Sequence, residues 1–227
     1  WRAVAAVIVF TGTETLSLFL SKHIHFSGDD AKAGATLDPT TDGLKGGAHG
    51  AWLTMLRGMH GSLTEGLQDA NGSLTWLQDP GEVWILGHSM GGALATLAAP
   101  FVVQLAQKQS EVTGVTTPPN VKLSTIASPR VLNEEAVTCF SELGSIRVQR
   151  FVLAEDVVPS LPPKRWGFKH IGFERRLRTP GIVRTWSNLV TSPYAALLAH
   201  GVKSYRRPLE EAESKPAEGL SRAYADV

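Results

Sequence analysis

The stretch EVWILGHSMGGALATLAA, residues 82–99, decides the fold that we predict for this chain. Residues 83–86 form a short apolar run typical of a buried strand, and apolar residues at helical spacing follow the turn GHSMG. A serine between two glycines, where a strand turns sharply into a helix, is the layout of a nucleophile elbow. The candidate nucleophile is Ser89, between Gly87 and Gly91.

The elbow pattern alone is a weak signal. With 22 glycines in 227 residues, a chance Gly-x-Ser-x-Gly match has a probability of roughly one in six, and the alternative is a structural turn with an idle serine. The pattern together with its flanking strand and helix is a more specific sign of a nucleophile elbow than the five residues alone, because the motif requires both elements. A helix that begins right after Ser89 also offers free N–H groups and a positive dipole end, which suit an oxyanion. Pro100 has no N–H, so we expect a kink or break in that helix.

Composition narrows the class of protein. The chain has 22 basic and 21 acidic residues and a formal charge of +1, which does not favour a nucleic-acid partner. Cys139 is the single cysteine, so no intrachain disulfide can form. No apolar run reaches the roughly 18 residues of a membrane span, so no transmembrane segment is predicted. The chain starts at Trp1 and enters a strand almost at once. We therefore expect a fragment or processed form, and localisation and oligomeric state stay open.

Strands alternate with helices, which favours an α/β fold with a mostly parallel central sheet flanked by helices. Apolar runs predict strands at residues 3–10, 83–86, 121–127 and 146–153, with a further one at 170–178. Helices are predicted at residues 51–67, after the elbow, and from Asn133 onward. The first strand is apolar at nearly every position, so we expect it to be buried on both faces.

The remaining segments are predicted to be a long loop, an interrupted helix and a poorly ordered tail. Residues 28–50 are rich in Gly, Asp, Thr and Pro and are predicted to be a long loop. Residues 194–205 are predicted to form a helix that starts at Ser192-Pro193 and is interrupted by Gly201. Residues 208–227 are charged and rich in small side chains, which predicts a poorly ordered tail.

A serine hydroxyl needs a general base, and the base needs a third group to orient it. In α/β-hydrolases the order along the chain is Ser, then Asp or Glu, then His, so the base should follow Ser89. Two histidines qualify, His170 and His200, and chain order alone does not separate them. His88 is the variable residue of the elbow and is expected to be structural. Asp156 directly follows an apolar strand, at the sheet edge where catalytic loops lie, and is the candidate acid.

Several segments together resemble the fungal-type, or class 3, triacylglycerol lipases. They are, in order, VIVFTGT (7–13), GHSMGGALATLAA (87–99), IASPRVLN (126–133), EDVVPSLPPKRWGFKHIGFE (155–174) and AHGVKSY (199–205). The resemblance implies an α/β-hydrolase domain at residues 1–207 that lacks its N-terminal part. It also implies that Asp156 is the acid and His200 the base of the triad, with His170 structural.

The resemblance further implies an oxyanion hole and a lid. Thr13 and Met90 would supply the oxyanion donors, and the alternative for Thr13 is a simple turn residue. The lid candidates lie in an apolar patch after the first strand, at Leu16, Leu18, Phe19 and Leu20, and the residues alone fit a core segment as well as a lid. The chain departs from the family pattern at Thr11, where the family usually has Arg. It also has Ala48-His49-Gly50-Ala51-Trp52 in place of a Val-His-x-Gly-Phe run.

These residues lead us to expect a serine hydrolase that cleaves carboxylic esters of lipids through an acyl-enzyme on Ser89. No metal or organic cofactor is needed for this chemistry. The expected partner is a lipid or other ester substrate, at a membrane or droplet interface. The alternatives are an esterase or phospholipase on other esters, and a non-catalytic lipase-like domain that binds lipids or partner proteins.

Overall fold

The computed structural model describes residues 4–12, 34–69, 71–74, 82–114, 120–178 and 199–213. Its central sheet has strands β1 (Val4–Phe10), β4 (Glu82–His88), β5 (Asn120–Ile126), β6 (Ile146–Leu153) and β7 (Phe173–Leu177). All neighbouring pairs are parallel, and the order across the sheet is β1-β4-β5-β6-β7. Helices pack on the sheet, so the predicted α/β class with a mostly parallel sheet is confirmed.

The central strands β4 and β5 alternate between the two faces of the sheet. Val83 and Ile85 are fully buried and pair in register with Val121 and Leu123, which are also fully buried. These four side chains join the core that helix α2 (Met90–Thr113) covers. The main core therefore lies between the sheet and α2.

Strand β1 departs from the prediction. Ala6 and Ile8 pack against the core, but Val7 is 57% exposed and Val9 is 62% exposed. The prediction that this strand is buried on both faces is therefore wrong. Successive side chains of a strand point to opposite faces, and α2 covers only one face of β1.

Helix α2 runs unbroken through Pro100, so of the predicted kink or break the break is wrong, and the kink stays a prediction. An internal proline costs a helix roughly 3 kcal/mol, while burying one leucine side chain contributes about 1.5–3 kcal/mol. Leu94, Leu97 and Val102 are all buried on this helix, and their packing outweighs the cost of the proline. The helix is long and apolar enough to cross a membrane, but 83% of that stretch is buried inside the protein, which marks a core helix.

Helix α1 (Gly50–Leu67) forms as predicted and places Trp52, Leu53 and Leu56 in the core. Residues 28–50 were predicted to be a long loop. That prediction is wrong in part, because the described part of this segment contains two strands. Strands β2 (Ala35–Leu37) and β3 (Gly46–Ala48) pair antiparallel as a small second sheet. Each strand is only three residues long and β3 has two glycines, so neither gives a periodic signal in the sequence.

Helix α3 (Glu134–Glu142) has Asn133 as its N-cap, which agrees with the predicted start near Asn133. The Asn133 side chain accepts a hydrogen bond from the Ala136 N–H at 2.9 Å, which caps the helix. The same oxygen accepts the Gly47 N–H at 3.0 Å and so ties α3 to β3.

Helix α4 (Val202–Glu213) corrects the predicted tail. It passes through Pro208, so residues 208–213 are helical and the predicted domain limit at residue 207 falls inside a helix. Residues 214–227 of the predicted tail lie outside the described chain. Tyr205, Leu209 and Ala212 pack on the sheet face opposite α2. That burial holds the helix together past the proline, and Arg206–Glu210 and Arg207–Glu211 ion pairs support its exposed side. The predicted interruption is present as a bend at Gly201.

Candidate active site

Ser89 lies on the sharp turn between β4 and α2, as the elbow motif requires. Its backbone has φ 57° and ψ −126°, a conformation that residues with side chains rarely adopt. A Cβ on Gly87 would lie 2.1 Å from the Gly91 carbonyl oxygen, and one on Gly91 would lie 2.1 Å from the Phe10 carbonyl oxygen. The two glycines are therefore required for the strand and helix to approach closely enough to force this turn.

The structure brings Ser89, His200 and Asp156 together. The Ser89 Oγ lies 2.7 Å from His200 Nε2. His200 Nδ1 lies 3.0 Å from Asp156 Oδ2 and 3.2 Å from Oδ1. Because a carboxylate only accepts, His200 donates from Nδ1, and its Nε2 lone pair accepts the serine proton. All three residues are buried, so this hydrogen-bonded chain is shielded from water.

Asp156 is held by further donors. It lies just after β6, where the Val158 N–H donates to Oδ1 at 2.9 Å. The Tyr205 hydroxyl donates to Oδ2 at 2.7 Å and accepts the Leu153 N–H at 2.9 Å. Burial, together with the Asp156 charge, raises the pKa of Tyr205 above its usual range, so the phenol keeps the proton that it donates. The carboxylate is therefore fixed in both position and orientation.

His88 contacts both the backbone and the ring of His200. Its Nε2 donates a 3.0 Å hydrogen bond to the His200 carbonyl oxygen, and the two rings stack with centroids 5.1 Å apart. Burial, followed by the proximity of His200, lowers the pKa of His88, which keeps its ring neutral. A neutral ring with its proton on Nε2 is the form that can make this bond.

His170, the other candidate base, has a different environment. It lies before β7, and its Nε2 donates to the Pro159 carbonyl oxygen at 2.8 Å. Burial and the nearby Arg150 charge lower the pKa of His170 to about 3. The structure thus places His200, and not His170, within hydrogen-bonding distance of Ser89.

The predicted oxyanion donors lie only in part within the described chain. Met90 is the first residue of α2, and its N–H belongs to the first turn, which has no intrahelical acceptors. Thr13 lies outside the described residues, as do Leu16, Leu18, Phe19 and Leu20. The described neighbour of Thr13 is Gly12, where a Cβ would lie 3.1 Å from the Ser89 Cβ. The chain at Gly12 therefore passes directly beside Ser89.

Sequence reasoning missed two residues that contact the triad. Tyr205 was assigned no role, although it stands in the segment AHGVKSY, and its contact with Asp156 joins residues 49 positions apart. His88 was expected to be structural, but its contact with His200 had no signal in the sequence. Both contacts depend on how α4 docks on the sheet.

Comparison with known proteins finds lipases and phospholipases that are similar to this chain. It is 35% identical over 98 residues to a lipase of Rhizopus niveus, covering 43% of this chain and 23% of that protein. It is 33% identical over 115 residues to phospholipase A1-II 4 of Oryza sativa, covering 47% and 27%. The chain thus spans about a quarter of the length of these curated relatives.

A solved structure gives the same result for the fold. The Rhizomucor miehei lipase in its propeptide complex superposes with a TM-score of 0.58 and 26% identity, over 76% of this chain and 49% of that one. Its α/β-hydrolase fold matches the parallel sheet described above. The sequence model of the family described as Lipase (class 3) matches residues 7–166, well over half of the chain, and on that ground the chain belongs to the class 3 lipase family.

Proposed function

We propose that this chain is a serine hydrolase that cleaves carboxylic esters of lipids. The observation that carries the proposal is the hydrogen-bonded series from Ser89 Oγ through His200 to Asp156, at 2.7 Å and 3.0 Å. The nucleophile, base and orienting acid of an acyl-transfer site stand within reach of one another in this series. Membership of the class 3 lipase family supports a lipid ester as the substrate.

The mechanism follows from these groups. His200 Nε2 takes the Ser89 proton as Oγ attacks the ester carbonyl carbon, and Asp156 stabilises the imidazolium that forms. The tetrahedral oxyanion is held by the N–H groups of Met90 and Thr13. The carbon–oxygen bond to the alcohol then breaks, and the alcohol leaves with the proton from His200. Water, deprotonated by the same base, releases the acid from Ser89.

The proposal also concerns how the substrate reaches Ser89 Oγ. Ser89 is fully buried, so a substrate reaches Oγ only after the groups around it move. Such movement is the behaviour of a lid. We assign the lid to the apolar patch Leu16, Leu18, Phe19 and Leu20, because it follows the strand that ends beside Ser89. On this assignment, activity rises when the substrate forms an interface.

A phospholipase A1 is the second candidate. The observation in its favour is the 33% identity to the rice phospholipase A1-II 4, which is close to the identity to the Rhizopus lipase. Both candidates share the acyl-enzyme on Ser89 and differ in the alcohol that leaves. Release of fatty acid from the sn-1 position of phosphatidylcholine, at a rate that exceeds release from a diacylglycerol of the same chains, supports the phospholipase.

The test compares wild type with Ser89→Ala on p-nitrophenyl esters of increasing chain length and on emulsified triacylglycerol. We expect wild-type hydrolysis that increases above the solubility limit of the substrate, and a loss of about 10⁶-fold in kcat without the serine. Equal rates in the two proteins contradict the proposal. Labelling by a fluorophosphonate separates an enzyme from a non-catalytic binding domain, since only an activated Ser89 reacts, and folded wild type that stays unlabelled would favour the binding domain.

A further inference from the structure

A cavity lies at the β6–β7 side of the sheet, and its lining differs in character from the buried Ser89–His200–Asp156 site. Its volume is about 560 Å³, and its walls come from β6, β7 and the segment 157–170. Five cationic side chains line it: Arg130, Arg150, Lys164, Lys169 and Arg176. Among the described lining residues, neither Ser89 nor His200 appears, although Asp156 does.

The carboxylates at this cavity are already engaged. Glu174 accepts from both Arg150 and Arg176, each at 3.1 Å. Asp156 accepts from His200 and Tyr205 and has a fully buried side chain. Lys169 is paired with Glu134, so four other cations face the two lining carboxylates and the cavity keeps an excess of positive charge. In agreement, burial and then the charge of Arg150 lower the pKa of Arg130.

Arg150 is the deepest of these cations. Its side chain is only 9% exposed, although the residue lies on a strand of the sheet. Its Nε donates to the Ile171 carbonyl oxygen at 2.9 Å, and Nη2 donates to Glu174. Its Nη1 is buried and has no hydrogen-bond partner among the described residues. A buried guanidinium donor of this kind calls for an acceptor, because nearly all such groups are paired in folded proteins.

The neighbouring groups present further donors, although Lys169 is already paired with the Glu134 carboxylate. Arg130 donates from Nη1 to the carbonyl oxygens of Ser160 and Pro162, which holds that guanidinium at the wall of the cavity. His170 stays neutral, since the pKa of its ring is lowered to about 3. Lys164 is exposed at the rim and can supply a point charge. Guanidinium forks with an ammonium at the rim are the groups that proteins use to hold phosphate.

We infer that this cavity binds an oxyanion of the phosphate type, with Arg150 at its base and Lys164 and Arg176 at its rim. The volume is larger than one phosphate needs, so the same site admits a phosphate ester. The occupant is therefore either free phosphate or the phosphate of a lipid headgroup. Asp156 forms part of the cavity wall, while Ser89 and His200 do not. The anion site therefore adjoins the acid of the triad and is separate from the serine that carries the acyl group.

Calorimetric titration of the full 227-residue chain tests the inference. Inorganic phosphate is added at constant ionic strength, with chloride replacing it in the reference titration. We expect saturable binding of phosphate at one site and none of chloride. Glycerol phosphate is titrated in parallel. If it binds about tenfold more tightly than phosphate, the headgroup is the natural occupant, and equal or weaker binding favours free phosphate.

Variants locate the site. Lys164→Gln and Arg176→Gln change exposed side chains and should each weaken phosphate binding at least about threefold, while Arg150→Lys, which loses the guanidinium fork, should weaken it about tenfold. Arg147→Gln is the matched control, because Arg147 is exposed on the same strand as Arg150 and does not line the cavity. Circular dichroism establishes that each variant is folded, and the two rim variants decide the result if Arg150→Lys is not. Absence of saturable phosphate binding to wild type, or equal binding by the rim variants and the control, overturns the inference.

Discussion

The Tyr205 hydroxyl joins Asp156 to the strand that precedes it: it donates to Asp156 Oδ2 at 2.7 Å and accepts the Leu153 N–H at 2.9 Å. His200 lies just before the helix that carries Tyr205, and its Nδ1 donates to the same carboxylate. The base and this phenol therefore approach the acid from one stretch of chain. A displacement of α4 would alter both contacts together.

Tyr205→Phe tests that relationship. The change leaves the buried Leu153 N–H without its acceptor, which should cost about 1–3 kcal/mol in the free energy of unfolding. With Asp156 held less firmly, we expect kcat on a soluble ester to fall about tenfold with little change in KM. Urea unfolding and steady-state kinetics measure the two effects. Leu209→Ala is the control, because it trims the same face of α4 without a contact to Asp156, so it should lower stability and leave kcat near wild type.

His88 should support the base through its backbone. In His88→Ala the His200 carbonyl loses the 3.0 Å donor and the ring loses its stacking partner. We expect kcat to fall about tenfold at constant KM, since a small misplacement of a catalytic group is costly. His88→Gln keeps a donor of similar reach and should recover part of the loss. Wild-type kcat in the alanine variant would show that the contact has no effect on the position of His200.

Asp156→Asn removes the charge of the acid while it keeps the size of the side chain. The asparagine side chain still fits the site. Its NH₂ group donates to His200 Nδ1 instead of accepting a proton from it, so the ring carries its proton on Nε2 and is held in the wrong tautomer. We expect kcat to fall by about 10⁴-fold. The folded structure should persist, as seen by near-UV circular dichroism. Asp69→Asn, which changes an exposed aspartate away from the triad, serves as the control and should keep full activity.

Gly91→Ala and Gly58→Ala form a matched pair of substitutions in helices. A Cβ at residue 91 would lie 2.1 Å from the Phe10 carbonyl oxygen, so the backbone must shift and the elbow must open. We expect at least about 3 kcal/mol of destabilisation and loss of activity. A Cβ at residue 58 meets nothing within 4 Å, and the same change there should stabilise the protein by about 0.5–1 kcal/mol. Thermal unfolding of both variants decides whether close approach, rather than helix propensity, requires Gly91.

Two histidines whose pKa values are lowered in the fold, the buried His49 and the half-buried His170, should make stability fall in acid. Burial lowers the pKa of His49 to about 4 and that of His170 to about 3, against about 6.5 in the unfolded chain. Below pH 6.5 the unfolded state therefore binds more protons, so the free energy of unfolding decreases as pH falls from 6.5 toward 4, by up to about 1 kcal/mol per pH unit for each histidine.

Urea unfolding between pH 7 and pH 4.5 measures this dependence. Carboxylates also contribute in this range, so the informative comparison is between wild type and His170→Gln. Glutamine cannot be protonated and keeps a donor for the Pro159 carbonyl oxygen, so the variant should show a shallower loss of stability. An unchanged slope would mean that His170 takes up no proton on unfolding in this range.

The local sequence was sufficient where one element makes its own signal. The apolar run and turn at residues 82–99 predicted β4, the elbow at Ser89 and the start of α2, because strand and helix periodicity and the two glycines are all local. The cap at Asn133 was predicted for the same reason. Local rules failed where packing opposes them: the helices through Pro100 and Pro208 persist because their buried faces outweigh the missing hydrogen bonds.

What the sequence by itself determined is the order of chemical groups: a serine on a strained turn, an acid after β6 and two histidines beyond it. Only the tertiary structure decided between those histidines, because His170 is 81 positions from Ser89 and His200 is 111, and chain distance does not measure distance in space. It also decided the support from Tyr205 and His88 and the gathering of cations around Arg150. These contacts arise when parallel strands align their ends and a helix docks across them, so they are set by the whole fold and by no short stretch of it.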